Sequence, residues 1–149
     1  EGQMEYWKFK AIDKLRDYPL KAAAIQSLQE ELQRLELEAT NIRSATADAT
    51  PVQGGGSSRE DKLLSNIIHR DEIKRMIAGA KLACNVVNTS LAALDAAERD
   101  LLTDMYIHRI SGGTPRIAEM LGLDERSVYR RADRALRRFV IALYGVGET

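Results

Sequence analysis

The sequence predicts an all-α protein in which a long antiparallel helical hairpin, similar to a coiled coil, precedes a C-terminal helix-turn-helix. Three observations predict this fold. Apolar residues recur at three- and four-residue intervals along most of the 149 residues, aromatic residues are only 5% of the chain, and the last third holds two short helical patterns joined by a glycine-containing turn. A hydrophobic fraction of 44% is sufficient for a globular core.

Residues 1–45 contain an N-terminal helix and the first long heptad helix. We expect the N-terminal helix, residues 3–17, to end near Tyr18, because Pro19 disfavours helix at the residue before it. Tyr6, Trp7 and Phe9 are interpreted as packing anchors against the hairpin. After Pro19 the apolar residues form a heptad seam that needs a facing helix: Ile25, Leu28, Leu32, Leu35, Ala39 and Ile42.

Residues 46–58 are predicted to be a flexible Gly/Ser-rich loop, since they carry no apolar stripe. Residues 59–94 are predicted to form the second long heptad helix. Arg70 interrupts the seam of this helix, whose predicted apolar positions are Leu63, Ile67, Ile73, Ile77, Ala80, Cys84, Val87, Leu91 and Leu94. Two such helices joined by a loop favour an antiparallel hairpin, although the seams could also pair between chains.

Residues 95–149 are predicted to form a helix-turn-helix domain. Asp95 and Glu98 have the spacing of a capping box at the start of one helix. Thr114 is expected to cap the next helix, with Pro115 at its first position, and Asp124 is expected to cap the last helix, which runs to Gly145. The resulting short helix, turn and long helix have the spacing of a DNA-binding motif.

The last helix separates into a packing side and a polar side. Apolar residues on one side are expected to pack: Val128, Ala132, Ala135, Leu136, Phe139 and Leu143. Over residues 126–138 the helix carries six arginines against the single acidic residue Asp133. The formal net charge of the chain is zero. Local charge governs DNA contact, however, because phosphate neutralisation acts within roughly 8 to 10 Å at cellular salt.

The polar residues of this region suggest two kinds of DNA contact. Residues 125–138 are predicted to be the recognition helix in the major groove, where arginine can read guanine and glutamate can accept from cytosine. The predicted base-reading residues are Glu125, Arg126, Tyr129 and Arg130. The predicted phosphate-binding residues, which position the helix without reading sequence, are Thr114, Arg116, Ser127, Arg131, Arg134, Arg137 and Arg138.

The last third of the chain resembles region 4 of bacterial sigma factors, which recognises promoter DNA. The residues that carry the resemblance are Leu94, Glu98, Arg99, Leu101, Leu102, Tyr106, Ile107, Ile117, Ala118, Leu121, Gly122, Val128, Arg134, Ala135 and Leu136. The whole arrangement, with a long helical part and a Gly/Ser-rich segment before Glu60 and Asp61, is similar to phage and prophage transcriptional regulators of the ArpU and RinA type. The resemblance implies a sequence-specific regulator that binds double-stranded DNA and contacts host RNA polymerase.

The sequence contains little that would support catalysis or a bound cofactor. Cys84 is the only cysteine, which excludes an intramolecular disulfide and a cysteine-cluster zinc site, and it is interpreted as a core residue. His69 and His108 belong to no catalytic constellation, and the glycines of residues 54–56 lack the lysine of a phosphate-binding loop. We expect no enzyme activity, no catalytic residues, no metal and no cofactor. We also expect no membrane partner and a location in the cytoplasm of a bacterial host cell.

Two other classes of protein fit the same pattern. A DNA-packaging adaptor similar to a small terminase subunit also joins a helix-turn-helix to helical oligomerisation segments, and a helical interaction protein could keep the motif without binding DNA. Helix-turn-helix proteins commonly bind paired half-sites as dimers. We therefore expect a homo-oligomer, with a dimer favoured.

Overall fold

The computed structural model describes residues 2–48 and 55–146, and every regular element within those ranges is helical. The all-α prediction is confirmed. The elements are α1 (Gly2–Asp48), α2 (Gly55–Ala92), α3 (Ala96–Leu102), a π-helical turn (Thr103–Ile107), α4 (Gly113–Leu121) and α5 (Glu125–Tyr144).

Helix α1 continues through Pro19, so the predicted end near Tyr18 was wrong. A proline inside a helix costs about 3 kcal/mol, because one backbone hydrogen bond is lost and the ring meets the preceding turn. Two contacts hold that turn in place. The Leu15 side chain is fully buried, and the Tyr18 hydroxyl donates a 2.9 Å hydrogen bond to Asn88 Oδ1. We infer that this packing offsets the cost of Pro19.

Helical structure also enters the predicted loop from both sides. Residues 46–48 belong to α1, and residues 55–58 belong to α2, so the loop prediction was wrong at these positions. The central part of the predicted loop, residues 49–54, lies outside the described residues. The local pattern was misleading because a helix with enough packing elsewhere along its length tolerates polar residues and glycine near its ends.

The chain divides into two compact units, Ala22–Lys81 and a second unit that combines Glu1–Lys21 with Leu82–Thr149. The Ala22–Lys81 unit contains a buried cluster of Leu35, Ile73 and Ile77. Beside it the Asn66 side chain, 4% exposed, donates a 2.9 Å hydrogen bond to the carbonyl oxygen of Leu35. Arg70 Nε donates to Asn66 Oδ1 at 2.8 Å.

The seam of α2 in this unit therefore passes through Asn66 rather than Ile67, which is 40% exposed. Placing Ile67 on the seam was wrong. The residues that share the buried side are spaced by three and four: Leu63, Asn66, Arg70, Ile73, Ile77 and Ala80. Two polar residues occupy positions where the repeat alone predicts apolar ones, because they satisfy each other and a backbone carbonyl.

The second unit is built on two buried clusters. The larger cluster joins α1, α2, α3 and α5 around the fully buried Phe139. The smaller cluster joins α3, α4 and α5 through Leu101, Ile117, Ala118, Val128 and Ala132. As predicted, the apolar side of α5 is buried, with only Leu143 half-buried.

The aromatic residues of α1 differ in their packing. Trp7 is half-buried against the larger cluster, with its ring 4.5 Å from that of Tyr144. Tyr6 and Phe9 are 53% and 65% exposed, so describing them as packing anchors was wrong. Trp7 and Tyr144 of α5 belong to the same compact unit, which also contains α3 and α4.

Two of the three predicted helix caps are confirmed. The Asp95 side chain accepts from the Glu98 amide at 2.8 Å, and the Glu98 side chain accepts from the Asp95 amide at 3.2 Å. The Asp124 side chain accepts from the Ser127 amide at 2.7 Å. Thr114 is not a cap, because α4 begins at Gly113 and Gly112 precedes it with a φ of 93°. A side chain at Gly112 would place its Cβ 2.9 Å from Arg116 Cβ, so glycine fits best there.

Candidate nucleic-acid interface

Helix α5 exposes two polar flanks on either side of its buried stripe. The first, here called the N-terminal flank, consists of Glu125, Arg126, Tyr129 and Arg130. The second consists of Arg131, Arg134 and Arg138, and it is here called the groove flank because it lines a cavity beside α3. All seven side chains are exposed, and Tyr129 is 57% exposed. The buried Val128 and Ala132 fix the rotation of α5, so the N-terminal flank faces outward.

The turn before α5 determines where the N-terminal flank begins. Gly122 ends α4 with a φ of 67°, and the Leu123 amide donates to the Ala118 carbonyl at 2.9 Å. Asp124 then caps α5. Hydrogen bonds from Ser127 hold the pKa of Asp124 below its ordinary value, and the charge of Arg130 lowers it further. Asp124 is therefore ionised at neutral pH at the start of this helix, where a negative charge is favourable.

The arginines of the N-terminal flank have no competing carboxylate bonded to them. Within the described residues, Arg126 and Arg130 form no hydrogen bond or ion pair. Arg130 and Asp124 interact only electrostatically. These two guanidinium groups can therefore form bidentate hydrogen bonds to an external acceptor, such as a guanine edge or a phosphate, without first breaking an internal one.

The only acidic residue of α5 beyond its first turn, Asp133, is neutralised from α1. Lys8, 6% exposed, donates a 2.6 Å hydrogen bond from Nζ to Asp133 Oδ1 and a 3.0 Å bond to Glu5. Arg137 Nε donates to Asp133 Oδ2 at 3.1 Å. Burial alone would raise the pKa of Asp133, but the hydrogen bonds from Lys8 and Arg137 outweigh it, so the pKa is lowered. The carboxylate beside the N-terminal flank is thus compensated.

The groove flank faces an acidic helix. Arg131, Arg134 and Arg138 line one side of a cavity of about 530 Å³. The opposite side of the cavity carries the α3 carboxylates and Asp104 of the π-helical turn, and its apolar lining comes from Leu101, Ile117, Met120 and Leu121. Arg138 Nη1 donates to Glu98 Oε1 at 2.7 Å. An incoming phosphate would therefore meet both signs of charge on this flank.

The remaining predicted phosphate-binding residues lie around α4 and the first turn of α5. Thr114 and Ser127 are half-buried, and Arg116 is exposed. Arg116 Nη1 lies 3.3 Å from Glu119 Oε2, a surface ion pair of the kind that contributes little. Arg116 is therefore free to exchange this partner for a phosphate, whereas Arg137 and Arg138 already bond to carboxylates.

Sequence reasoning missed Lys8, Arg16 and Arg109. Lys8 occupies a core position of α1, because Lys8, Ala11 and Leu15 follow the three-and-four spacing and all are buried. A charged residue at such a position is a signal that an ion-pair partner exists. Arg16 and Arg109 gave no signal, since only the folded chain brings residues from α1 and from the segment before α4 to one cavity.

The described residues contain no group of three or more His, Cys, Asp or Glu that could hold a metal ion. Cys84 is buried, in agreement with its interpretation as a core residue. Among the helices of residues 2–48 and 55–146, none is long and apolar enough to cross a membrane.

Comparisons of the chain with protein-family models, with curated proteins and with solved structures gave no match. The resemblance to sigma region 4 and to the ArpU and RinA regulators therefore stays a prediction from the residues quoted above.

Proposed function

We propose that this protein is a sequence-specific DNA-binding transcriptional regulator of the phage or prophage type. In this proposal α4, its turn and α5 act as a helix-turn-helix similar to sigma region 4, with residues 125–138 in the major groove. The observation that carries the proposal is the N-terminal flank, where Arg126 and Arg130 are exposed and carry no ion pair within the described chain.

The proposed roles follow the charges of the two flanks. Glu125, Arg126, Tyr129 and Arg130 read base edges. Phosphate contacts come from Thr114, Arg116, Ser127, Arg131, Arg134, Arg137 and Arg138. Among these, Arg116, Arg131 and Arg134 contribute most, because Arg137 and Arg138 bond to Asp133 and Glu98. The reading residues set the sequence preference, and the phosphate contacts set the position of the helix on the duplex.

We further propose that residues 22–81 form an antiparallel hairpin. The buried cluster of Leu35, Ile73 and Ile77 and the bond from Asn66 to the Leu35 carbonyl support this arrangement. In the same unit Leu64, Ile67 and Ile68 of α2 are exposed, which favours a homodimer in which a second chain covers them. The dimer would bring two recognition helices to two half-sites, and the regulator would act together with host RNA polymerase.

Titration of labelled duplexes from the late promoter region of the encoding phage, followed by gel retardation, tests the proposal. The wild-type protein should bind saturably, and Arg126→Ala and Arg130→Ala should each weaken binding by about 1 to 3 kcal/mol. Arg75→Ala, which removes an exposed arginine from the other compact unit, is the matched control. If both flank variants bind as tightly as this control, the proposed reading residues are wrong.

The second candidate function is a DNA-packaging adaptor, which the long helices α1 and α2 also favour. Light scattering of the purified protein separates the two. A ring of eight or more subunits would support packaging, and a monomer or dimer would support regulation. A helical interaction protein that does not bind DNA would show no salt-dependent affinity for duplexes.

A further inference from the structure

A second cavity lies beside the start of α4, within the compact unit that contains α5. Its volume is about 300 Å³, and it is lined by Arg16 of α1, by Asp104, by Arg109, and by Gly113 and Thr114 of α4. The lining brings together a residue near the N-terminus and residues almost a hundred positions later. None of the roles proposed so far involves Arg16 or Arg109.

The charge of this cavity is positive. The lining includes two arginines and one aspartate, and within the described residues neither Arg16 nor Arg109 forms a hydrogen bond or an ion pair. Burial raises the pKa of Asp104, and the nearby Asp100 carboxylate raises it further, so Asp104 is a costly anion with no bonded partner. Both arginines are exposed and can turn toward an anion outside the protein.

Arg16 lies between this cavity and the ring of Tyr106. Its guanidinium carbon lies 6.0 Å from the centre of the Tyr106 ring. Burial raises the pKa of Tyr106, while the charge of Arg16 lowers it, and Asp133 and Tyr129 of α5 act on the same hydroxyl. Arg16 therefore lies beside Tyr106, and it lines the same cavity as Thr114.

We propose that Arg16 and Arg109 together neutralise a backbone phosphate of duplex DNA beside Thr114. This inference rests on the proposed DNA-binding function and extends it to α1. Paired guanidinium groups suit a phosphate because each offers parallel N–H donors to its oxygens. The binding surface then comprises the C-terminal third of the chain and the first five turns of α1.

The test is the salt dependence of duplex affinity, measured by fluorescence anisotropy between 50 and 200 mM salt. The informative pair is Arg109→Gln and the double variant Arg16→Gln/Arg109→Gln. Losing one neutralised phosphate makes the slope of log K against log salt shallower by about 0.9. Between 50 and 200 mM salt, the fall in affinity of the double variant should therefore be about threefold smaller than the fall in affinity of the wild type. The loss should be equal on promoter and unrelated duplexes, because a phosphate contact carries no sequence information.

The matched control is Lys21→Gln/Arg109→Gln, which removes the same charge from the same helix at another exposed position. Melting curves show whether each variant is folded at the assay temperature. If the Arg16 double variant and this control have equal slopes, while Arg126→Ala still weakens binding, the inference is overturned and the proposed function stands. If the wild-type protein binds no duplex even at 50 mM salt, both are overturned.

Discussion

The two flanks of α5 contain the same residue type in two different settings. On the N-terminal flank Arg126 and Arg130 have no bonded carboxylate within the described residues. On the groove flank Arg138 bonds to Glu98, and Arg131 and Arg134 share a cavity with several acidic residues. The number of arginines in a helix therefore does not measure its capacity to bind DNA, because each arginine must first be free of internal partners.

Asp133 and Glu98 explain how the two flanks came to differ. The carboxylate of Asp133 is compensated from α1 by Lys8 and within α5 by Arg137. Glu98 acts twice, as part of the capping box of α3 and as the acceptor for Arg138. Internal ion pairs therefore engage Arg137 and Arg138, while the compensated Asp133 leaves Arg126 and Arg130 of the N-terminal flank without a bonded carboxylate.

Truncating the side chain of Phe139 on α5 should have the largest effect on the free energy of unfolding. Phe139 is fully buried in the larger cluster, which joins α5 to α1, α2 and α3. Phe139→Ala should lower the free energy of unfolding by about 3 to 5 kcal/mol, because it removes apolar contacts and leaves a cavity. Chemical denaturation followed by circular dichroism measures the change. A loss below 1 kcal/mol would mean that this site collapses around the smaller side chain.

Removing the compensation of Asp133 should have the next largest effect. Lys8→Met should lower the free energy of unfolding by about 1 to 2 kcal/mol, since a charged hydrogen bond is lost beside a half-exposed carboxylate that solvent screens. Lys10→Met, on the exposed side of α1, is the control. Asp133→Asn in the Lys8→Met background should recover part of the loss, and no recovery would contradict the pairing.

The ion pair between Lys8 and Asp133 should make the free energy of unfolding depend on pH in both the acid and the alkaline range. The folded pKa of Asp133 is lowered, so its contribution is complete above its ordinary pKa near 3.8 and is lost as pH falls through the folded value. The folded pKa of Lys8 is raised: burial lowers it, but the bonds to Asp133 and Glu5 prevail. Its contribution is complete below 10.5 and is lost as pH rises through the folded value. The denaturation midpoint of Lys8→Met should change less with pH than that of the wild type, in both the acid and the alkaline range. Parallel plots of midpoint against pH for the two proteins would contradict this.

Breaking the link between the groove flank and α3 should have the smallest effect. Arg138→Ala should change the free energy of unfolding by about 1 kcal/mol, because the Arg138 side chain is 52% exposed and solvent screens the pair although the Glu98 side chain is 13% exposed. Thermal melting at low and high salt measures the difference, which should shrink as salt screens the pair. A larger, salt-independent loss would show that Arg138 contributes through packing of its aliphatic part.

The sequence predicted the elements that depend on local chemistry. The capping box at Asp95, the cap at Asp124 and the buried side of α5 follow from short-range spacing, and each is present. The elements that depend on distant residues were not predictable. Where α1 continues through Pro19, Tyr18 bonds to Asn88, 70 residues away, and the compensation of Asp133 involves Lys8, 125 residues away.

The candidate site shows the same division. Helical spacing was enough to predict that Glu125, Arg126, Tyr129 and Arg130 lie outside the packing side of α5. The i,i+4 spacing was also enough to pair Arg137 with Asp133. It could not reveal that Arg138 bonds to Glu98 or that Lys8 bonds to Asp133, because these pairs depend on tertiary structure. The cavity shared by Arg16 and Arg109 was likewise invisible, because no local pattern joins α1 to the segment before α4.

Asn66 has a consequence for how the long helices find their alignment. A purely apolar seam repeats itself every seven residues, so two helices could slide past each other by one repeat and still bury similar side chains. The buried amide of Asn66 donates to the Leu35 carbonyl in the observed alignment, and a shift that brings no other carbonyl of α1 within its reach would leave an unsatisfied polar group that costs about 1 to 3 kcal/mol. A single buried amide can thus favour one alignment of the two helices over others that would bury similar apolar side chains.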